Sequence, residues 1–275
     1  EWLITRFPIT VVPSASAFKL LRQSVQRSQK ETDRFIGFGD PVLSGNGQER
    51  GGKMPFLQES RTAFEQLRMM NALPGTQEEL HAIARTLGVN PETNVFLQQR
   101  ATETQVRRLL NSGRLGNTQV LSFATHGLLA GQLNGLVEPA LVLTIPAQPT
   151  QENDGLLTMG EILDFQLPQV DWVILSACNT AGGDGSGQGL SGLARAFFFA
   201  GAKALLVSHW SVDDRATQAL MTEIFRLVGK DSTLSKSAAL QRGMLAVMKQ
   251  SPEGSFPYFS HPYAWAPFFL VGNGN

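Results

Sequence analysis

Asp171-Trp172-Val173-Ile174-Leu175-Ser176-Ala177-Cys178 is a near-continuous apolar run that ends on the chain's single cysteine. A short run that is apolar on successive residues marks a strand covered on both faces. Residues 118–124 form a second such strand, ending in Thr125-His126-Gly127. Residues 204–207 form a third, followed by Ser208-His209. Working outward, further strands are expected at 9–12, 35–38, 94–98, 140–145 and 268–271. Helical patterns fall between them: up to Leu21 after Ser14 or Ser16, then 56–70, 76–87, 106–110, a short turn from 158, 190–200, from Asp213 or Asp214 to 228, and 234–248. Thr76 to Glu79, Thr102 to Gln105 and Thr158 to Glu161 each carry the capping-box pattern, in which a hydroxyl and a side chain three residues on satisfy each other's backbone donors. Gly88 is placed to terminate the helix before it.

Strands alternating with helices predict an α/β fold with a mostly parallel central sheet covered on both faces. In such sheets the reactive groups lie just beyond the carboxyl ends of the strands. His126, Cys178 and His209 fall there.

Composition narrows the classes. The chain has 275 residues, 42% of them hydrophobic, which suits one large domain. Twenty-three basic residues balance 23 acidic ones, so the total shows no basic excess of the kind nucleic acid or an anionic membrane attracts. One cysteine rules out an internal disulfide and fits a reducing, cytoplasmic setting. The four histidines, His81, His126, His209 and His261, are scattered, so no metal and no cofactor is expected. No window is apolar for long enough to span a membrane. The chain opens on Glu1 without a signal-peptide pattern and reads as a piece of a longer protein.

A cysteine nucleophile needs a base or cation close by to supply thiolate at neutral pH. Adjacent parallel strands ending at His126 and Cys178 would bring the two side by side, and the 178 − 126 = 52 residues between them leave room for a strand excursion and a crossover helix. The N–H groups of Gly127 and Cys178 would then form an oxyanion hole. His209 is a rival base, although Trp210 follows it and offers no slim backbone donor. His81 sits on a helix pattern and His261 in a proline-rich loop, both read as structural.

These residues resemble the CHAT peptidase family, relatives of caspases and separase. The matching stretches are Ser122 to Gly127, Asp154 to Thr158, Leu175 to Gly182, Gly189 to Phe197, Ala200 to Ala202 and Ser208 to Asp214. The resemblance implies a caspase-like three-layer α/β/α sandwich over 1–275, with a pseudo-subdomain 1–115 and a catalytic half 116–275. It implies a His126–Cys178 dyad that hydrolyses peptide bonds of protein substrates, and it favours His126 over His209. Gln188 departs from the family's usual Glu. Asp213 and Asp214 lie where relatives read a basic P1 side chain, so cleavage after Arg or Lys is an expectation; either aspartate also suits the start of the following helix. Asp154 and Ser208 are expected in the same substrate site. The resemblance further implies an upstream helical-repeat or other regulatory partner module.

Two other functions fit parts of the sequence. Gly187 to Gly192 matches G-x-G-x-x-G, with Asp213 a further 213 − 192 = 21 residues on, the spacing of a dinucleotide site. That fingerprint begins directly after its strand, whereas eight residues, 179–186, intervene here. A catalytically silent interaction module on the same fold is the other alternative.

Overall fold

Among the described residues, nine strands are interspersed with helices, most of them in the alternation the apolar pattern predicts. The computed structural model describes residues 2–12, 33–43, 58–150, 152–176, 192–210, 214–249 and 259–275. The strands are β1 (Asp33–Gly39), β2 (Val95–Leu97), β3 (Thr118–Ala124), β4 (Gly127–Leu128), β5 (Ala140–Val142), β6 (Leu156–Thr158), β7 (Trp172–Leu175), β8 (Ala204–Ser208) and β9 (Phe268–Gly272). Helices are α1 (Gln58–Arg68), α2 (Gly75–Thr86), α3 (Pro91–Asn94), α4 (Glu103–Asn111), α5 (Met159–Leu163), α6 (Gly192–Phe199), α7 (Asp214–Lys230), α8 (Lys236–Lys249) and α9 (Pro262–Trp265).

Six strands form the main sheet in the order β2-β1-β3-β7-β8-β9. All its pairings are parallel except that of β8 with β9 at the edge. Alternate residues of each strand feed two separate cores. Ile36, Leu121, Val173 and Leu205 pack with α4, α5 and α6 through Val106, Ile162 and Phe197. Phe35, Val120, Ile174 and Leu206 pack on the other face with α2, α7 and α8 through Leu80, Leu220 and Met244. Each such side chain contributes about 1.5–3 kcal/mol by leaving water, and the result is a three-layer α/β/α sandwich.

β1 is thinned on the face that meets α2. A Cβ at Gly39 would lie 2.7 Å from Leu80 Cδ1 and 3.0 Å from Thr76 Oγ1. Only glycine lets the first turn of α2 settle this close to the carboxyl end of β1.

Three expectations change. Residues 140–145 do not join the main sheet. β5 is the centre of a separate antiparallel sheet, β4-β5-β6, because the segment after His126 turns back on itself. This is the strand excursion between His126 and β7, and α5 follows it. The strand expected at 9–12 shrinks to a single parallel bridge between Val11 and Val271. The capping box expected at Thr76 and Glu79 does not form: α2 starts at Gly75 after Pro74 with no side-chain cap. The helix expected up to Leu21 lies outside the described residues.

Candidate active site

β1 has β2 on one side and β3 on the other, so the strand order reverses about β1 and opens a crevice beyond the carboxyl ends. His126 lies there, two residues beyond β3. Thr125 is buried and its hydroxyl donates to the Val142 carbonyl, while the Val142 N–H donates to the His126 carbonyl at 2.9 Å. β5 therefore holds the backbone on both sides of the imidazole. Gly127 pairs with Leu141, and the bond from Val142 to His126 makes this a non-hydrogen-bonded antiparallel pair. Such a pair turns the Gly127 N–H away from β5.

The His126 ring is held as well. Its Nε2 lies 2.8 Å from the backbone carbonyl oxygen of Asn71, in the turn between α1 and α2. A carbonyl only accepts, so Nε2 carries the proton of the neutral ring and Nδ1 keeps the lone pair. Sequence reasoning had no signal for Asn71, since a main-chain acceptor leaves no mark in residue type.

β7 lies beside β3 in the register Phe123↔Leu175. Ser176, one residue past β7, donates its hydroxyl to Glu79 Oε1 at 2.8 Å, and both side chains are buried. Cys178 lies outside the described residues, as do Gln188 and Asp213; Asp214 is the first residue of α7.

The remaining sequence candidates are placed as follows. His209 follows β8, with its ring stacked on Phe269 at 4.0 Å and 12°, and burial holds its pKa below the usual imidazole value. His261 accepts the Tyr263 N–H at 3.2 Å and caps α9. His81 is a half-buried residue of α2. Ser208 is fully buried as the last residue of β8. Asp154 is turned in on its own loop, its Oδ1 accepting the Leu156 N–H at 2.8 Å, and burial raises its carboxyl pKa. Gly192, the last glycine of the G-x-G-x-x-G match, opens α6, and 192 − 175 = 17 positions separate it from the end of β7. A dinucleotide turn joins strand to helix directly, so this one does not qualify.

Among the described residues, no group of three His, Cys, Asp or Glu side chains is arranged to hold a metal ion. No described helix is long and apolar enough to cross a membrane.

The sheet order, the two helical layers and the strand-end crevice define a caspase-like fold, which solved cysteine proteinases share. The Arg specific cysteine proteinase gingipain R matches with a TM-score of 0.50 at 10% identity, over 93% of this chain and 51% of that one. A structure described as a protease matches with a TM-score of 0.52 at 12% identity, over 94% and 51%. At these identities the likeness is one of fold. The chain belongs to the CHAT domain family, whose model matches residues 1–273. Among curated proteins it is similar to tetratricopeptide repeat protein 28 of Homo sapiens, 25% identical over 307 aligned residues, and to that of Mus musculus, 27% over 308. The alignments cover 99% of this chain and 11% of those proteins, so the chain spans about a ninth of their length.

Proposed function

We propose that this domain is a cysteine endopeptidase working through Cys178 and His126. The observation that carries the proposal is the imidazole at the carboxyl end of β3, fixed by the Asn71 carbonyl on Nε2 with Nδ1 left to exchange protons. Cys178 supports it by count: it lies three residues past Leu175, as His126 lies three past Leu175's partner Phe123.

In the proposed reaction the Cys178 thiolate attacks the scissile carbonyl carbon and forms a tetrahedral intermediate. The N–H groups of Gly127 and Cys178 hold its oxyanion. Protonated Nδ1 of His126 gives its proton to the leaving amine as the C–N bond breaks, leaving a thioester. Nδ1 then takes a proton from water, the resulting hydroxide equivalent attacks the thioester, and the C–S bond breaks to release the acid and return the Cys178 thiolate beside protonated Nδ1. Asp213 or Asp214 is proposed to pair with an Arg or Lys side chain on the acyl side of the cut. A nucleophile that must stay reduced suits a reducing compartment such as the cytoplasm. The repeat-protein names of the curated relatives suit a helical-repeat partner module that delivers substrate.

A fluorogenic peptide library varied at P1 tests activity and specificity together. Turnover that falls more than about a thousandfold in Cys178→Ala and in His126→Ala is the expected result. Full turnover in Cys178→Ala would overturn the proposal. A chain that neither turns over nor labels with an acyloxymethyl-ketone peptide is instead a silent interaction module, a reading that the curated relatives, named for their repeats, leave standing.

A further inference from the structure

We infer that Asp40 is a positioning residue for His126, whose carboxylate fixes the turn that presents the Asn71 carbonyl to the imidazole. The inference rests on His126 being the acid/base proposed above. Asp40 is the first residue past β1, and the Gly39↔Ala124 pair of β1 and β3 sets it beside Thr125. Among the described residues, only Asp40 and Gln98 are non-glycine residues with positive φ, at 43° and 50°. They are bonded to each other: the Gln98 N–H donates to the Asp40 carbonyl at 3.1 Å, and Gln98 Nε2 to Asp40 Oδ2 at 3.3 Å. Side-chain-bearing residues enter this region at a cost, and such outliers gather where surrounding structure over-determines them, often at functional sites.

The Asp40 residue is 6% exposed, and every donor it meets among the described residues is neutral. Oδ1 accepts the Leu73 N–H at 3.3 Å and Oδ2 accepts Gln77 Nε2 at 2.5 Å. Its own N–H donates to Thr76 Oγ1 at 2.9 Å, and that hydroxyl donates to the Leu73 carbonyl at 2.7 Å. Leu73 is thus gripped at both its N–H and its carbonyl, two residues after Asn71. Met70 anchors the start of the turn against the Leu67 cluster, but beyond it Asn71, Ala72 and Pro74 are exposed. A carboxylate offers strong acceptors to several donors at once. With Met70 fixing one side and residues 71, 72 and 74 exposed, these polar bonds fix the far side of the turn and so where the Asn71 oxygen sits. Asp40 does not itself touch the imidazole; it acts through the turn.

The test compares the full chain with Asp40→Ala and Asp40→Asn, using ring-nitrogen NMR of 15N-histidine-labelled protein, with the His126 signals assigned by their loss in His126→Gln. Asp33→Asn serves as the control, because Asp33 lies at the other end of the same strand, paired with Arg114 at 2.5 Å. In the wild type the His126 signals should report one tautomer with the proton on Nε2. In Asp40→Ala they should move towards tautomer averaging, in Asp40→Asn by less, and in Asp33→Asn not at all, even where thermal stability falls equally. If Asp40→Ala does not fold, the smaller shift in Asp40→Asn carries the test. If the wild type turns over peptide, kcat in Asp40→Ala should fall about 10- to 100-fold with KM little changed, as misplaced catalytic groups do. Ring signals unmoved in both Asp40 variants would overturn the inference while leaving the peptidase proposal intact. Moved signals in a chain with no peptidase activity would support the coupling and sink the peptidase proposal alone.

Discussion

The first turns of α2 and α5 carry the same local signature, a threonine followed three residues later by glutamate, and put it to different use. At α5 the signature does what helix chemistry prescribes. Thr158 accepts the Glu161 N–H at 3.3 Å, and Glu161 accepts the Thr158 N–H at 2.9 Å. At α2 neither residue caps the helix. Thr76 is bonded to Asp40 and Leu73, and Glu79 is bonded to Ser176. The difference lies in what each turn rests on. α5 follows its own edge strand, β6, and is free to satisfy itself. α2 sits on glycine-thinned β1, over the strand ends where polar groups need partners. A local rule that fails in one place and holds in another marks where tertiary demands outweigh it.

The largest effect should come from pushing α2 off its strand. Gly39→Val places carbon where Leu80 Cδ1, Thr76 Oγ1 and the Ala124 carbonyl stand within 3.1 Å of the new Cβ. We expect a loss of about 1–3 kcal/mol, by the usual cost of overpacking, together with displaced His126 ring signals. A urea midpoint equal to that of the wild type would show that the close approach is not needed.

Next in size is a pair that sets the two turns against each other. Glu79→Ala leaves the buried Ser176 hydroxyl without this acceptor and should cost about 1–3 kcal/mol. Thr158→Ala removes a cap and should cost about 1 kcal/mol. Chemical denaturation of both variants measures the difference, and equal losses would erase the distinction between a diverted turn and a capped one.

A separate effect concerns the surroundings of α5 and depends on pH. Glu103 is buried beside Asp154 and Glu161, its Oε2 accepting the Gly155 N–H at 2.5 Å, and desolvation by burial pushes its pKa up to about 8. The folded chain therefore keeps this proton between the ordinary glutamate value of 4.5 and about 8, where the unfolded chain has lost it. Stability from this group is complete below that window and falls as pH rises through it. Urea midpoints at pH 5 and pH 8.5 should show the wild type losing ground to Glu103→Gln at the higher pH. Parallel midpoints would rule out a buried, protonated Glu103.

Much of this architecture can be read from residue types. The apolar run at 118–124 becomes β3 over those same residues, because both its faces meet helices. Thr158 forms its capping box as its spacing predicts, while at Thr102 only the hydroxyl half of the expected box forms, accepting the Gln105 N–H. Gly88 ends α2 with φ of 69°. The remainder depends on contacts distant in sequence. The run at 140–145 is apolar whichever sheet it joins, so periodicity cannot assign it to β5 of the second sheet. At the candidate site, His126 is visible because histidine at a strand end is chemically conspicuous. Asn71 is not, since it contributes a main-chain oxygen 55 residues away. Asp40 reads as an ordinary turn residue, and only its left-handed φ and its donors from two separate segments, 73–77 and Gln98, set it apart.

The bridge between Val11 and Val271 joins the beginning of the described chain to its last strand. The Val11 N–H donates to the Leu270 carbonyl, and the Gly272 N–H donates to the Val11 carbonyl. During synthesis, Val11 lacks these two backbone bonds until residues 270–272 have emerged. β8 likewise keeps a bare edge until β9 arrives. An interrupted chain would therefore display unpaired backbone beside exposed Phe7 and Ile9, the kind of surface that chaperones and proteases recognise. The arrival of β9 is what pairs that backbone.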